Sequence, residues 1–208
     1  AAVETCETAA GHLATAEGQV DLQRSGAAGW IEALQGGALC RGDTVRAGAN
    51  SRATVVLVNQ AVLRIDQNTA MRLDNITGIA DERSSLSLLK GAFQSFSRKP
   101  RGFEVSTPYL NGSIEGTEFV FRVKENASEL TVLEGLVLAS NDHGSVRVSG
   151  GESALSSRGR APTKQVLVNP RNAVQWSLYY PPLQASSPGR AAGSSLQQAA
   201  SLLSVGRI

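Results

Sequence analysis

Few of the groups that carry out chemistry occur in this chain of 208 residues. It has two cysteines, Cys6 and Cys40, two histidines, His12 and His143, and a single methionine. The cysteines lack CxxC spacing and the histidines lie far apart, so a zinc site would need all four to converge over long range. Aromatic residues make up 5% of the chain and charged residues 18%, a low charge content for a globular protein. No apolar run approaches the roughly 20 residues that span a bilayer. No hydrophobic targeting segment is present, although Ala1-Ala2 is what a signal peptidase leaves after cutting at a small-residue site. Acidic residues stop at Glu152. The six basic residues Arg158, Arg160, Lys164, Arg171, Arg190 and Arg207 follow alone, against fourteen basic and eighteen acidic residues before them. A tail of one sign can bind nucleic acid. These charges are spread thinly and lack interleaved aromatics, so docking on the acidic body is the better expectation and nucleic acid is not expected as a partner.

What is present is alternation. Val55 and Leu57, then Val62, Leu63 and Ile65, flank the turn-like Asn59-Gln60. Leu86, Leu88 and Phe93 flank Lys90-Gly91, and Phe103 and Val105 precede Thr107-Pro108. Phe119, Phe121 and Val123 take one parity, with Glu118, Val120, Arg122 and Lys124 on the other. Leu130 and Val132 reach Glu134-Gly135 before Leu136 and Leu138, and Val146 and Val148 precede Gly150-Gly151. A period of two, broken by glycine or asparagine at short intervals, predicts all-β strands with one wet face each. A sandwich, jelly roll or β-solenoid fits, and a buried parallel α/β sheet does not.

The pattern changes after Val168. Asn169-Pro170 predicts a short helix to about Leu178, since asparagine caps and proline suits the first helical position; Pro181-Pro182 ends it. Residues 184–195 are linker-like. Residues 196–208 read as helical, with Leu196, Ala199, Ala200, Leu202 and Leu203 on one broad face that needs a partner or a continuing helical repeat to cover it.

The motifs Gly18-Gln19-Val20, Leu39-Cys-Arg-Gly42-Asp43-Thr-Val45, Arg52-Ala-Thr-Val-Val-Leu57, Leu63-Arg-Ile65 and Asn68-Thr69 occur in that order. Leu89-Lys-Gly91-Ala-Phe93, Phe103-Glu-Val105-Ser-Thr107-Pro108, Gly116-Thr117-Glu-Phe119 and Val132-Leu-Glu134-Gly135-Leu-Val137 follow. Together, over residues 12–155, they resemble the FecR domain. The resemblance implies an elongated, two-layered, solenoid-like or jelly-roll-like all-β domain of the bacterial periplasm. In iron-uptake regulators that domain passes a signal from an outer-membrane transporter to a sigma factor, with a cytoplasmic segment and a membrane helix ahead of it. Neither is found in this sequence. Residues 169–182 are similar to the junction in FecR-domain proteins that continue into tetratricopeptide repeats, with residues 196–208 as the first repeat helix.

The expected organisation is an N-terminal arm (1–11), a FecR-like β domain (12–157), a basic extension with a short helix (158–183), a linker (184–195) and the start of a helical segment (196–208). In an exported chain the even cysteine count suggests a Cys6–Cys40 disulfide; two buried thiols are the other reading. The bridge would close a loop of about 33 residues and stabilise by roughly 3–4 kcal/mol.

The remaining polar motifs favour structure over chemistry. Gly116-Thr117-Glu118-Phe119 lacks a GK[ST] ending and reads as a turn before a strand. Gly42-Asp43 and Gly150-Gly151-Glu152 lack the clustered carboxylates of a Ca²⁺ site. The pairs Glu115/Glu118 and Asp81/Glu82 read as solvated surface rather than glycosidase carboxylates. His143 beside Asp142 has no nucleophile elbow to serve. The sequons at Asn75, Asn111 and Asn126 reflect loop composition. No catalytic, cofactor-binding or metal residue is assigned. The candidate interaction residues are Trp30, Arg98, Lys99, Arg101, Trp176, Tyr179 and Tyr180, because amphipathic aromatics and arginine favour interface cores; for Trp176, packing onto the β body competes. The leading expectation is a non-enzymatic protein-interaction or scaffold module of the cell envelope that contacts envelope proteins or copies of itself. The alternatives are a periplasmic signal relay to a sigma factor and binding of a cell-wall or extracellular polysaccharide.

Overall fold

A computed structural model describes residues 6–79, 82–97, 102–167 and 169–179. The expected all-β architecture is present. Fifteen strands run in chain order: β1 (Ala9–Glu17), β2 (Val20–Gln23), β3 (Ile31–Glu32), β4 (Ala38–Cys40), β5 (Thr44–Ala47), β6 (Arg52–Leu57), β7 (Val62–Ile65), β8 (Thr69–Asn75), β9 (Ser84–Phe96), β10 (Phe103–Ser106), β11 (Asn111–Val123), β12 (Ala127–Asn141), β13 (Gly144–Ser149), β14 (Glu152–Ser157) and β15 (Thr163–Val166). A 3₁₀ helix spans Pro170–Tyr179. The basic extension from residue 158 thus supplies an edge strand, paired with β14, before its helix. Among the described residues no helix is long and apolar enough to cross a membrane.

Three long strands knit two layers together. β9, β11 and β12 hold 13, 13 and 15 residues, and each pairs different neighbours with its two halves. One layer reads β15, β14, the first half of β12, the second halves of β11 and β9, then β7, β6, β1 and β4. The other reads β13, the second half of β12, the first half of β11, β10, the first half of β9, then β8, β5, β2 and β3. All pairs are antiparallel except β9 with β10.

The crossing from layer to layer is written as a change of parity. Leu86 and Leu88 are buried at even positions of β9, whereas Phe93 is buried at an odd one. Between them, Leu89 and Lys90 are exposed, and the register against β8 slips so that Ala70 faces Lys90 while Met71 faces Leu88. Gly91 makes this bulge possible. Its φ is +83°, and a β-carbon there would stand 2.5 Å from Cα of Thr69. The same flip occurs from Ile114 to Phe119 in β11 and from Val132 to Val137 in β12. Both halves of each long strand therefore face one core, which Phe93, Phe103, Phe119 and Phe121 fill with ring centroids 5.9–6.4 Å apart.

The C-terminal helix falls where the Asn169-Pro170 cap predicts, but it is a 3₁₀ helix. Trp176 Nε1 donates to the Ala173 carbonyl and Ser177 Oγ to that of Val174, each three residues back, while Asn172 N donates to the Asn169 carbonyl. Such local bonds compete with the i→i+4 ladder. Val174 and Ser177 are buried, and Arg64 of β7 donates to the Ser177 carbonyl at 3.4 Å, so the helix lies along the first layer.

Candidate interaction surface

The sandwich is open at the end formed by β3 and β4. Among the described residues β3 pairs only with β2, and β4 only with β1. Unpaired strand edges offer backbone donors and acceptors to another chain. Around β3 the side chains are apolar and exposed: Trp30 37%, Ile31 50% and Leu34 66%. Trp30 is held in place. The guanidinium carbon of Arg46 stands 4.1 Å from the indole centre, and Arg46 donates from Nε and Nη2 to Oδ2 of Asp21 at 3.0 and 2.6 Å. Asp21 and Arg46 face each other across β2 and β5, so pairing of the strands presets the clamp. A rigid aromatic beside two exposed aliphatics on a free edge has the make-up of a protein-contact surface.

The same end is anchored covalently. Cys6 and Cys40 form a disulfide over a sequence separation of 34, with their Cα atoms 5.3 Å apart. It ties the segment ahead of β1 to β4, where Arg41 N also donates to the Thr8 carbonyl at 3.0 Å. Beneath lies Asp43, whose side chain is 1% exposed. Its Oδ2 accepts from Arg24 Nη1 at 2.7 Å and from Cys40 N at 2.8 Å, and its Oδ1 accepts from Ser25 N at 3.2 Å. Arg24 Nη1 also reaches the Ala38 carbonyl and the Cys40 sulfur at 3.1 and 3.3 Å. The Gly42-Asp43 turn is thus a buried fastening between loops, with its carboxylate oxygens committed to N–H donors. Among the described residues no cluster of histidine, cysteine, aspartate or glutamate is placed to hold a metal.

The residues singled out from the sequence do not share one place. Trp30 stands on the open end, whereas Trp176 is half-buried in the 3₁₀ helix, with its Nε1 bonded to the Ala173 carbonyl. Tyr179 ends that helix, and its side chain lies outside the description. Arg98, Lys99, Arg101 and Tyr180 lie outside the described residues, as does the 196–208 segment. Sequence reasoning missed Ile31, Leu34 and Arg46. The run Trp30-Ile31-Glu32-Ala33-Leu34 carried a signal, being rich in apolar residues yet too short and irregular for a core strand.

Comparison with known proteins yields a family and a fold. Residues 43–138 match the family model described as FecR protein. No curated protein matches the sequence. Two crystal structures of a protein from Parabacteroides distasonis ATCC 8503, described as "a putative anti-sigma factor", have a similar fold. One aligns with a TM-score of 0.57 at 14% identity, over 64% of this chain and 63% of that one. The other aligns with a TM-score of 0.56 at 14% identity, over 64% of each chain. The alignment thus covers less than two thirds of each relative's length. The family match runs from β5 into β12, inside the 12–155 span of the motif resemblance, and leaves the Trp30 surface and the disulfide ahead of it. Over residues 43–138, just under half of its length, this chain is thus similar to the FecR protein family.

Proposed function

We propose that this chain is the protein-contact domain of a FecR-type regulator, relaying a signal from an envelope partner to a sigma factor, and that it works in the periplasm without catalysis. The FecR match over residues 43–138 carries the reading. The sandwich seen also in a described anti-sigma factor supports it. Scaffold assembly has less support, because neither comparison points to an assembling protein. The surface around Trp30 is the contact in this reading: its edge strand is free, its apolar side chains are exposed and its tryptophan is held rigid.

The test uses the full-length gene in its host with a sigma-dependent reporter. Replacing Trp30 by Ala together with Ile31 by Ser is expected to abolish induction while the protein accumulates normally. Normal induction in that variant removes the Trp30 surface from the reading. Unchanged reporter behaviour on deletion of residues 9–166 removes the relay itself.

A further inference from the structure

A second site lies at the corner where β9 bends between the layers. The Asp66-Gln67-Asn68 turn, the Lys90-Gly91 bulge, Pro108-Tyr109 and the β11–β12 turn converge there on a cleft of about 580 Å³, within the range of ligand-binding clefts. Three of these segments belong to the motifs that mark the family resemblance and lie roughly 20 residues apart in sequence; the fold brings them to one rim. Its charged lining is Asp66, Lys90, Arg122, Lys124 and Glu125.

These charges are not equally committed. Lys124 is held by Glu129 at 3.0 Å. Asp66 faces Arg52 at 3.7 Å and Arg122 at 3.9 Å, and its Oδ1 accepts from Gln67 N. The Arg122 contact is longer than a hydrogen bond, which leaves the guanidinium donors available. The side chain of Lys90 is exposed and makes no ion pair among the described residues. Lys90, and Arg122 beside its long contact with Asp66, thus remain open to an incoming carboxylate, while the exposed Glu125, which makes no ion pair among the described residues, is the lining charge such a ligand must avoid. Beside them Leu89 is 48% exposed, an apolar ledge next to the charge.

Tyr109, the aromatic residue of this cleft, is occupied. Its hydroxyl donates to the Glu125 carbonyl at 3.1 Å, and the guanidinium of Arg158 stands 6.0 Å from its ring centre. A pyranose ring seeking an aromatic platform finds little here, whereas an extended chain can lay a carboxylate on Lys90 and Arg122 and its backbone along the ledge. The geometry points to this cleft as a binding site for an acidic peptide segment of a partner protein, with Lys90 and Arg122 as the carboxylate contacts. The assignment rests on reading the domain as a protein-contact module, and it adds a second contact distinct from the Trp30 end.

The test is an NMR titration of the purified chain with capped hexaglutamate, alongside capped hexaserine and trigalacturonate. Hexaglutamate is expected to shift the amides of Lys90, Gly91, Tyr109 and Arg122, and the other two probes to leave them in place. The double variant Lys90→Gln, Arg122→Gln is expected to weaken the apparent affinity at least about tenfold, as loss of two charge-assisted hydrogen bonds implies. Arg147→Gln, on exposed β13, is expected to leave it unchanged, separating the site from bulk charge attraction. Absence of cleft shifts, indifference to the double variant, equal loss with Arg147→Gln, or tighter binding of trigalacturonate each overturns the assignment. The reporter assay is independent: induction that persists while the cleft binds nothing overturns this site and leaves the relay standing.

Discussion

A β-carbon placed on Gly112 would stand 2.6 Å from Cζ of Phe121 and 3.3 Å from Cγ1 of Val137. Gly112 sits on the first half of β11, in one layer, and Phe121 on its second half, in the other. The strand's two ends therefore press on each other across the core. Gly112→Ala adds a methyl where a fully buried ring already fills the space, and overpacking of this kind costs about 1–3 kcal/mol. Chemical denaturation is expected to show a lower midpoint with an unchanged slope. A midpoint at or above wild type would show that Phe121 relaxes freely.

The Arg24–Asp43 pair is a second structural dependency. Removal of one partner leaves a buried charge, at a cost of about 3–5 kcal/mol. Asp43→Ala also strands the N–H groups of Cys40 and Ser25. It is expected to destabilise more than Arg24→Met, because Asp43 is the more deeply buried partner and serves three donors. Equal unfolding midpoints for the two variants would contradict this ranking.

Reduction offers a third check. The Cys6–Cys40 bridge closes a loop for which the chain-entropy model gives about 4 kcal/mol. Cys6→Ser, Cys40→Ser is expected to unfold at the same midpoint as wild type treated with a dithiol, and both below the oxidised protein. A reduced wild type as stable as the oxidised form would mean that the loop is already confined without the bridge.

Glu152 predicts an acid-side effect. The N–H of Ser149, donating to Oε2 at 2.8 Å, and Lys164, 3.0 Å from Oε1, hold its carboxyl below the ordinary value of 4.5. A group with a depressed folded pKa binds its proton more readily when unfolded. Its contribution is therefore full above the unfolded value and is lost as pH falls from about there through the lower folded value. Between pH 5 and pH 3, Glu152→Gln is expected to lose less stability than wild type. Parallel pH curves would show that the contact does not survive in solution.

Strand content was legible because alternation needs only neighbours two apart. Val55, Leu57, Leu63 and Ile65 were expected inward and are all buried. Parity reversal within a strand was not legible. Lys90-Gly91 and Glu134-Gly135 looked like turns between strands, whereas β9 and β12 run straight through them. A glycine with positive φ serves a reversal or a bulge equally well, and pairing with distant strands chooses between the two. Trp30 was legible as a candidate for contact. Ile31 and Leu34 were not, because exposure depends on what the rest of the chain leaves uncovered.

The sequence by itself determined that this protein is all-β, poor in catalytic groups and similar to the FecR domain, since those properties reside in residue order and composition. The cysteine count already suggested the Cys6–Cys40 bridge that the structure contains; tertiary structure alone decided that Arg46 clamps Trp30 on an open edge and that Lys90 and Arg122 share a cleft. Each of these joins residues distant in sequence, and their meeting is set by the register and bending of strands that no local pattern encodes.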